Sequence, residues 1–350
     1  MKRNIRILDI AEKVGVSIGT VDRVLHDRGE VSVETKEKIL QIIKEYNYRP
    51  NILASSLASK KVITLASLTP WFPDKTVFWS KPQEGIEKAV AQLQQYGVKL
   101  EQFSFKMEDP ETFNKEAAKI IELLPDGVLL APCAKRESLK FAKDLDQRSI
   151  PYVFIDSTLK ESNPISFIVQ DSVQSGFLAA KLIDYGVTPK SNILIIHVTK
   201  DLQNENHLLQ REKGFLDYFQ SVENRNHQII KIEVQADEVE IRSKLTATLA
   251  EIKSIDAVFV TNSKVHRLSS FFEQIGQRPR MIGYDLIPSN VELLRQNKID
   301  FLLNQNPEHQ GYTAVNLLFD QLVRKEKVQI ANFTSIDILT KENLEYYSSI

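Results

Sequence analysis

Residues 7–51 read ILDIAEKVGVSIGTVDRVLHDRGEVSVETKEKILQIIKEYNYRPN, and three short helices account for this pattern. Apolar residues recur at i, i+3, i+4 and i+7 in the first segment, which predicts one apolar stripe on one helix face. Gly15 breaks that stripe, and Ser17 is a good N-cap for a second helix. Ser32 is the predicted N-cap of a third helix, and Pro50 ends the unit. The predicted inward-facing residues of the second and third helices are Val21, Val24, Leu25, Ile39, Ile42, Ile43 and Tyr46.

The composition is that of an ordinary globular protein. The chain has 350 residues, of which 42% are hydrophobic and 26% are charged, and this length predicts two or three domains. The net charge of −1 argues against wholesale coating of nucleic acid. Residues 1–61 nevertheless hold twelve Lys and Arg against eight Asp and Glu, so the N-terminal part is the basic part of the chain.

Short β-rich runs alternate with amphipathic helical stretches from residue 62 onward. The predicted strands are 62–68, 98–105, 127–131, 152–155, 165–169, 193–197, 229–234, 257–260, 281–284 and 301–303. The predicted helices between them include 82–95, 111–124, 172–185, 238–252 and 309–324. Such alternation is typical of parallel sheets with helices on both faces, and ten strands favour two doubly wound lobes over one sheet.

The N-terminal segment resembles the DNA-binding headpiece of the LacI/GalR family of bacterial transcription regulators. The matching elements are Asp9-Ile10-Ala11, Ala11 to Gly15, Val16-Ser17, Thr20-Val21, Arg23-Val24-Leu25, Val31-Ser32 and Tyr48-Arg49-Pro50-Asn51. The resemblance implies a helix-turn-helix headpiece over residues 1–50 and a hinge over residues 51–61. It also implies a homodimer that binds palindromic operator DNA, and the lack of an apolar signal core and of a membrane span predicts that the protein is cytoplasmic.

A helix-turn-helix places its second helix in the major groove, where each base pair shows a distinct set of donors and acceptors. Arg23 can donate to guanine O6 and N7, and Asp22 can accept from cytosine N4. In relatives, a hinge leucine wedges into the minor groove, and Leu57 followed by Ala58 matches that position. The expected DNA-contacting residues are Ser17, Ile18, Gly19, Thr20, Asp22, Arg23, His26, Asn51 and Leu57.

The remainder, residues 62–350, resembles the family's effector domain, which shares its fold with periplasmic sugar-binding proteins such as the ribose-binding protein. The likeness is tightest at Ile282-Gly283-Tyr284-Asp285 and over residues 304–312. It implies two lobes with the chain crossing between them near 169, 303 and 330. Lobe 1 would hold residues 62–168 and 304–330, and lobe 2 would hold residues 169–303 and 331–350.

The same resemblance implies a sugar-like effector held between the lobes. The expected effector-binding residues are Phe78, Trp79, Asp156, Arg211, Asn262, Asp285 and Gln305. Sugar hydroxyls both donate and accept, so ionised and amide side chains suit them, and an aromatic ring suits the apolar sugar face. Ser157 follows Asp156 where the ribose-binding pattern has Arg, which argues against ribose itself.

Two other classes of protein remain as alternatives, a transporter's sugar-binding protein and a sugar-processing enzyme with an N-terminal helical extension. The sequence contains no phosphate loop, no G-x-S-x-G elbow and no H-E-x-x-H pair, so we expect no enzyme, cofactor or metal. One Cys and six scattered His offer no zinc spacing. The N-terminus lacks an apolar signal core and no run is long enough for a membrane span, which argues against the transport protein.

Overall fold

The computed structural model describes residues 5–25, 29–46, 48, 62–74, 77–223, 226–252 and 254–347. The chain divides into two compact units, one before and one after residue 60. The expected DNA-contacting residues His26, Asn51 and Leu57, together with the whole predicted hinge, lie outside the described residues.

The described residues of the first unit form three helices: α1 (Ile7–Val14), α2 (Ile18–Leu25) and α3 (Val33–Glu45). Gly15 ends α1 in the left-handed conformation, with φ of 71°, which a residue without Cβ adopts readily. The Ser17 hydroxyl accepts from the Thr20 amide at 3.2 Å, and the Ser32 hydroxyl accepts from the Thr35 amide at 3.4 Å. Both predicted N-caps are therefore confirmed.

The core of this unit contains Ile10, Val21 and Ile39, which are fully buried. The prediction that Tyr46 lies in the core is wrong, because this side chain is 41% exposed and its ring lies beneath the Lys13 ammonium. The helix ends at Glu45, so the residues after it leave the helical register, and Tyr48 packs against the core instead.

The second unit alternates strands and helices. Its described strands are β1 (Ile63–Pro70), β2 (Val98–Phe105), β3 (Gly127–Leu130), β4 (Tyr152–Ile155), β5 (Ser166–Gln170), β6 (Asn192–Val198), β7 (Gln228–Val234), β8 (Ala257–Val260), β9 (Arg280–Tyr284), β10 (Phe301–Asn304), β11 (Ala331–Thr334) and β12 (Asp337–Leu339). Its described α-helices are α4 (Ser80–Leu93), α5 (Pro110–Leu123), α6 (Lys135–Gln147), α7 (Ser172–Asp184), α8 (Asn206–Ser221), α9 (Glu238–Glu251), α10 (His266–Gln274), α11 (Pro288–Arg295) and α12 (Pro307–Phe319). A short π-helix, Asp320–Arg324, continues α12. Within these ranges, no helix is both long and apolar enough to cross a membrane.

The strands form two six-stranded sheets, and each sheet is the centre of one lobe. Their orders are β11-β5-β4-β3-β1-β2 and β12-β10-β9-β8-β6-β7, and all neighbours are parallel except the pair β10 and β12. The predicted fold class, a helical headpiece followed by two doubly wound lobes, is confirmed. In this topology the carboxyl ends of the strands form the edge at which ligands of open α/β sheets bind.

All ten predicted strands are present, and the two last strands are additions to the prediction. Strand β11 pairs with β5 of the first sheet, whereas β12 pairs with β10 of the second. The third passage between the lobes therefore lies near 335 rather than 330, so residues 331–334 belong to lobe 1. These strands give no clear hydrophobic pattern in the sequence, because they are only three or four residues long and half-exposed.

One helix pair in each lobe packs with backbone against backbone. A Cβ on Gly85 of α4 would lie 1.9 Å from the Glu308 carbonyl oxygen of α12. A Cβ on Gly176 of α7 would lie 1.9 Å from the Arg211 carbonyl oxygen of α8. Such distances leave no room for a side chain, so glycine fixes how closely each pair approaches. In lobe 2 this contact fixes the backbone of Arg211.

Gly176→Ala tests this contact. We expect the added methyl group to force α7 and α8 apart and to lower the free energy of unfolding by about 1–3 kcal/mol or more. Urea unfolding monitored by circular dichroism measures the change. Gln174→Ala, on the exposed face of the same helix, is the matched control and should stay close to wild type. Equal midpoints for Gly176→Ala and wild type would contradict the close approach.

Candidate functional site

The expected DNA-contacting residues between 17 and 23 lie at the start of α2 or on the side of that helix that faces away from the headpiece core. Ser17, Ile18, Gly19, Asp22 and Arg23 are exposed, and Thr20 is half-buried. Ile18 is 45% exposed although it is large and apolar. This exposed face of α2 combines an anion, a cation and an apolar side chain, which are groups that can contact base edges in a major groove.

Two aspartates occupy equivalent places in the two lobes. Asp156 follows β4 and Asp285 follows β9, and these are the third strands from the edge of their respective sheets. The backbone of both residues is in the left-handed conformation, with φ of 67° and 69°. Asp and Asn tolerate this conformation better than most residues. Their side chains are buried, with residue exposures of 8% and 3%.

A hydrogen-bonded chain joins three of the expected effector-binding residues in the interior. Arg211 of α8 is 1% exposed, and its Nη1 donates to the Thr261 carbonyl oxygen at 2.7 Å. Its Nη2 donates to Gln305 Oε1 at 2.6 Å, and Gln305 Nε2 donates to the two Asp285 carboxylate oxygens at 3.1 and 3.0 Å. The guanidinium also lies 3.7 Å from the centre of the Tyr284 ring, a cation–π contact.

Gln310 of α12 connects Asp156 to this chain. Its side-chain oxygen accepts from the Asp156 amide at 2.7 Å, and its side-chain nitrogen donates to the Gln305 carbonyl oxygen at 3.0 Å. Among the described residues, no group donates to the Asp156 carboxylate, and Arg211 Nε is buried without a partner. Buried polar atoms of this kind cost about 1–3 kcal/mol each unless a hydrogen-bonding partner meets them.

The acids at this site are poised to change charge near neutral pH. Burial raises the pKa of Asp156 to about 6 and the pKa of Asp285 to about 7, and the nearby Arg211 charge opposes both shifts. Burial, aided by Arg211, lowers the pKa of His207 to about 3. His207 is therefore uncharged at neutral pH, whereas the two aspartates respond to small changes in their surroundings.

Two cavities border this buried chain. The larger, of about 840 Å³, is lined by Phe78, Asp285 and residues of α4, α11 and α12. The smaller, of about 240 Å³, is lined by Asp156, Glu205 and His207 among others. The structure thus separates the expected set: Phe78 and Asp285 face one cavity, and Asp156 faces the other.

The remaining expected residues have local roles. Trp79 packs edge to face against Phe78, with ring centres 5.1 Å apart. The Asn262 amide donates to the Val198 carbonyl oxygen at 3.0 Å, and its oxygen accepts from the Lys264 amide, so it orders the loop after β8. Neither residue joins the Arg211 chain.

Several residues near the site had no assigned role in the sequence analysis. Tyr284 and Gln310 lie inside the two tightly matching motifs. These motifs place them near the site, but the sequence does not show which residues they contact. Glu205 and His207 gave no signal at all. They reach the site only because the N-terminus of α8 faces the loop after β4, a proximity that a single sequence does not show. None of the described residues forms a cluster of His, Cys, Asp and Glu suited to a metal ion.

The raised pKa of Asp156 makes stability depend on pH. Between the usual value of 3.8 and the folded value of about 6, the folded protein holds a proton that the unfolded chain has lost. The free energy of unfolding therefore falls as pH rises through this window. We expect the stability of Asp156→Asn relative to wild type to increase by up to roughly 3 kcal/mol between pH 4 and pH 8.

Urea unfolding at a series of pH values measures this difference. Glu161→Gln, which alters an exposed carboxylate at the rim of the smaller cavity, is the control. Its stability relative to wild type should not vary over the same window. A difference for Asp156→Asn that is independent of pH would show that this carboxyl is not perturbed by burial.

Comparison with known proteins gives matches for both units. The family described as bacterial regulatory proteins, lacI family, matches residues 6–51, and the periplasmic binding protein domain family matches residues 67–327, more than half of the chain. Catabolite control protein A of Staphylococcus aureus is 28% identical over 182 residues, which is 52% of this chain and 53% of the relative. The regulator RegA of Clostridium saccharobutylicum is 30% identical over 189 residues, 50% of this chain and 55% of the relative. The chain spans about half the length of the curated relatives it matches.

Solved structures extend the likeness over the second unit. A crystal structure from Bacteroides fragilis assigned to the LacI transcriptional regulators is 30% identical with a TM-score of 0.77, covering 82% of this chain and all of that one. The glucose-galactose binding protein GanP of Geobacillus stearothermophilus is 20% identical with a TM-score of 0.71, covering 81% of this chain and 99% of GanP, and it shows the fold alone. The helix-turn-helix headpiece, the two-lobed domain and the matching relatives all indicate the same family. The chain belongs to the LacI family of bacterial regulatory proteins.

Proposed function

We propose that the chain is a cytoplasmic, homodimeric transcription regulator whose affinity for a palindromic operator is controlled by a small polar effector bound between its lobes. The observation that carries this proposal is the buried Arg211–Gln305–Asp285 chain, which a single polypeptide combines with a helix-turn-helix headpiece. We propose that the protein acts as a repressor and that its effector is a sugar or a sugar derivative.

The DNA half of the proposal rests on α2. Its exposed face carries Asp22 and Arg23 within one turn, next to the apolar Ile18. An arginine that donates two hydrogen bonds to a guanine contributes about 1–3 kcal/mol of discrimination against other bases. Two headpieces related by a two-fold axis would read two half-sites of opposite direction, so the favoured operator is palindromic. The hinge residue Leu57 remains the predicted minor-groove wedge.

The effector half rests on the chemistry of the strand ends. A ligand with several hydroxyl groups can donate to the Asp156 carboxylate, which lines the smaller cavity and has no hydrogen-bond donor among the described residues. Hydrogen bonds to ionised groups are stronger than neutral ones, so such a ligand gains affinity from each contact. Phe78 lines the larger cavity together with Asp285 and can offer an aromatic ring there, and Trp79 packs against Phe78.

Coupling between the two halves follows from where the chain passes between the lobes. Gln305 lies directly after β10, at one of these passages, and binds both Arg211 and Asp285. An effector that prefers one arrangement of the lobes shifts the population toward it, and this alters operator affinity by the same differential free energy. Whether the effector strengthens or weakens DNA binding depends on which arrangement holds the headpieces at the operator spacing.

Arg23→Ala tests the proposed base reader. After selection of preferred duplexes from a random pool, we expect this variant to lose about 1–3 kcal/mol of specific binding and to accept several bases at one position of each half-site. Lys38→Ala, on α3, removes one positive charge without touching α2 and should keep the wild-type preference. An unchanged preferred sequence and affinity for Arg23→Ala would remove Arg23 from the reading surface, and a pool with no enriched sequence would contradict specific DNA binding.

Arg211→Ala and Asp285→Ala test effector control. For a compound that raises the melting temperature in a screen of monosaccharides, phosphosugars and nucleosides, each variant should lose affinity by about 2–5 kcal/mol, because a buried charged partner is removed. Both should still bind operator DNA, since the headpiece is a separate unit. Isothermal titration calorimetry and operator binding with and without the compound measure the two effects. Arg267→Ala, an exposed arginine of α10, is the control, and unchanged affinity in both variants would contradict the site.

A further inference from the structure

The smaller cavity has an unusual balance of charge on its inner wall. It lies where the loop after β4, residues 156–161, faces the start of α8 at residues 204–207. Its volume of about 240 Å³ is below the roughly 300–1,000 Å³ of pockets that hold drug-sized ligands, so it suits a single small ring. Two carboxylates, Asp156 and Glu205, line it from opposite lobes.

The Asp156 carboxylate has no hydrogen-bond donor among the described residues, and the residue lines the smaller cavity. The residue is only 8% exposed. Its backbone amide donates to the Gln310 side chain, but no group in the described part of the chain donates to its carboxylate. A buried carboxylate without donors is costly, and a bound donor relieves that cost. This side chain therefore indicates a ligand that donates hydrogen bonds.

Glu205 adds a second negative group on the facing wall. One carboxylate oxygen accepts from the Thr199 hydroxyl, and the other lies 3.9 Å from His207 Nε2. His207 lends no positive charge, because burial and Arg211 lower its pKa to about 3. Burial raises the pKa of Glu205, and the negative charge of Glu205 contributes to the raised pKa of Asp156.

The nearby cations do not neutralise this pair by direct contact. Arg211 donates to Thr261 and Gln305, and the Lys264 ammonium donates to the Val198 carbonyl oxygen. Both cations favour ionised Glu205 through space, but neither forms an ion pair with it or with Asp156 among the described residues. The rim residues Lys135 and Lys160 are exposed to solvent and are offset in part by the exposed Glu161. The inner wall remains negative.

We infer that the effector is an aminodeoxy monosaccharide whose protonated amino group lies between Asp156 and Glu205 in this cavity, an inference that rests on the proposed effector control. An ammonium group has three donors and a full charge, so it can satisfy both carboxylates at once. Ser157, Thr158 and Asn206 line the same cavity and can bind ring hydroxyls.

The test compares matched ligands on the full-length protein. Melting temperature and calorimetry are measured with hexoses that carry an amino group at C1, C2, C3 or C6, with the corresponding neutral hexoses, and with N-acetylated forms. We expect one amino isomer to bind at least tenfold more tightly than its neutral and N-acetylated counterparts. The charged amine, and not the ring alone, would account for that difference.

Charge variants then locate the amine. Asp156→Asn and Glu205→Gln should each weaken binding of the amino sugar at least tenfold and bring its affinity close to that of the neutral sugar. Glu251→Gln, which changes an exposed carboxylate of α9 outside this cavity, should bind the amino sugar like wild type. Thermal melts of each variant without ligand establish that the loss of affinity is not a loss of folding.

The outcomes separate this inference from the function on which it rests. If a neutral hexose binds as tightly as its amino form, the inference is overturned and sugar control of operator binding stands. If an amino sugar binds through Asp156 and Glu205 but leaves operator affinity unchanged, the binding site stands and effector control is overturned. If no aminodeoxy hexose raises the melting temperature, the inference is overturned.

Discussion

One buried guanidinium organises the interior of the second unit. An isolated charge in the interior costs several kcal/mol, so Arg211 can be buried only where its surroundings compensate it. The Thr261 carbonyl oxygen, the Gln305 side chain and the Tyr284 ring provide that compensation, and Asp285 supplies the opposite charge through Gln305. These partners follow or end β8, β9 and β10, so the position of α8 and the ends of three strands depend on one side chain.

The same charge acts on both strand-end aspartates. Burial raises the pKa of both carboxyls, and the Arg211 charge opposes this rise without a direct hydrogen bond to either. Asp156 and Asp285 are equivalent in the two lobes, yet only Asp285 has a hydrogen-bond donor among the described residues, from Gln305. The lobe that lacks this donor is the one whose carboxylate still needs a partner.

The sequence predicted the elements that have a periodic or motif signal. It did not predict contacts between residues that are far apart along the chain. Strands β1 to β10 were predictable because most of them are buried apolar runs, and Asp156, Arg211, Asp285 and Gln305 were placed by motifs around them. Strands β11 and β12 are too short and too exposed to give such a signal. Tyr46 was assigned to the headpiece core because the helical period was extended one residue past the end of α3. Glu205 lies beside Asp156 only after two lobes meet, and no spacing along the chain encodes that.

Hydrogen bonds join the three passages between the lobes to one another. Gln170, at the end of β5, donates through its side-chain amide to the Asn304 carbonyl oxygen at 2.9 Å and to the Ser335 carbonyl oxygen at 3.2 Å. These three residues lie at the three places where the chain passes from one sheet to the other, so a single buried amide joins all three passages. The Thr334 hydroxyl adds a bond to the Gln305 carbonyl oxygen at 3.1 Å. Because these bonds link the three passages, a displacement of one passage would disturb the hydrogen bonds of the other two. Gln305 belongs both to this joined set and to the Arg211–Asp285 chain, so the buried charges at the strand ends and the passages between the lobes share one residue.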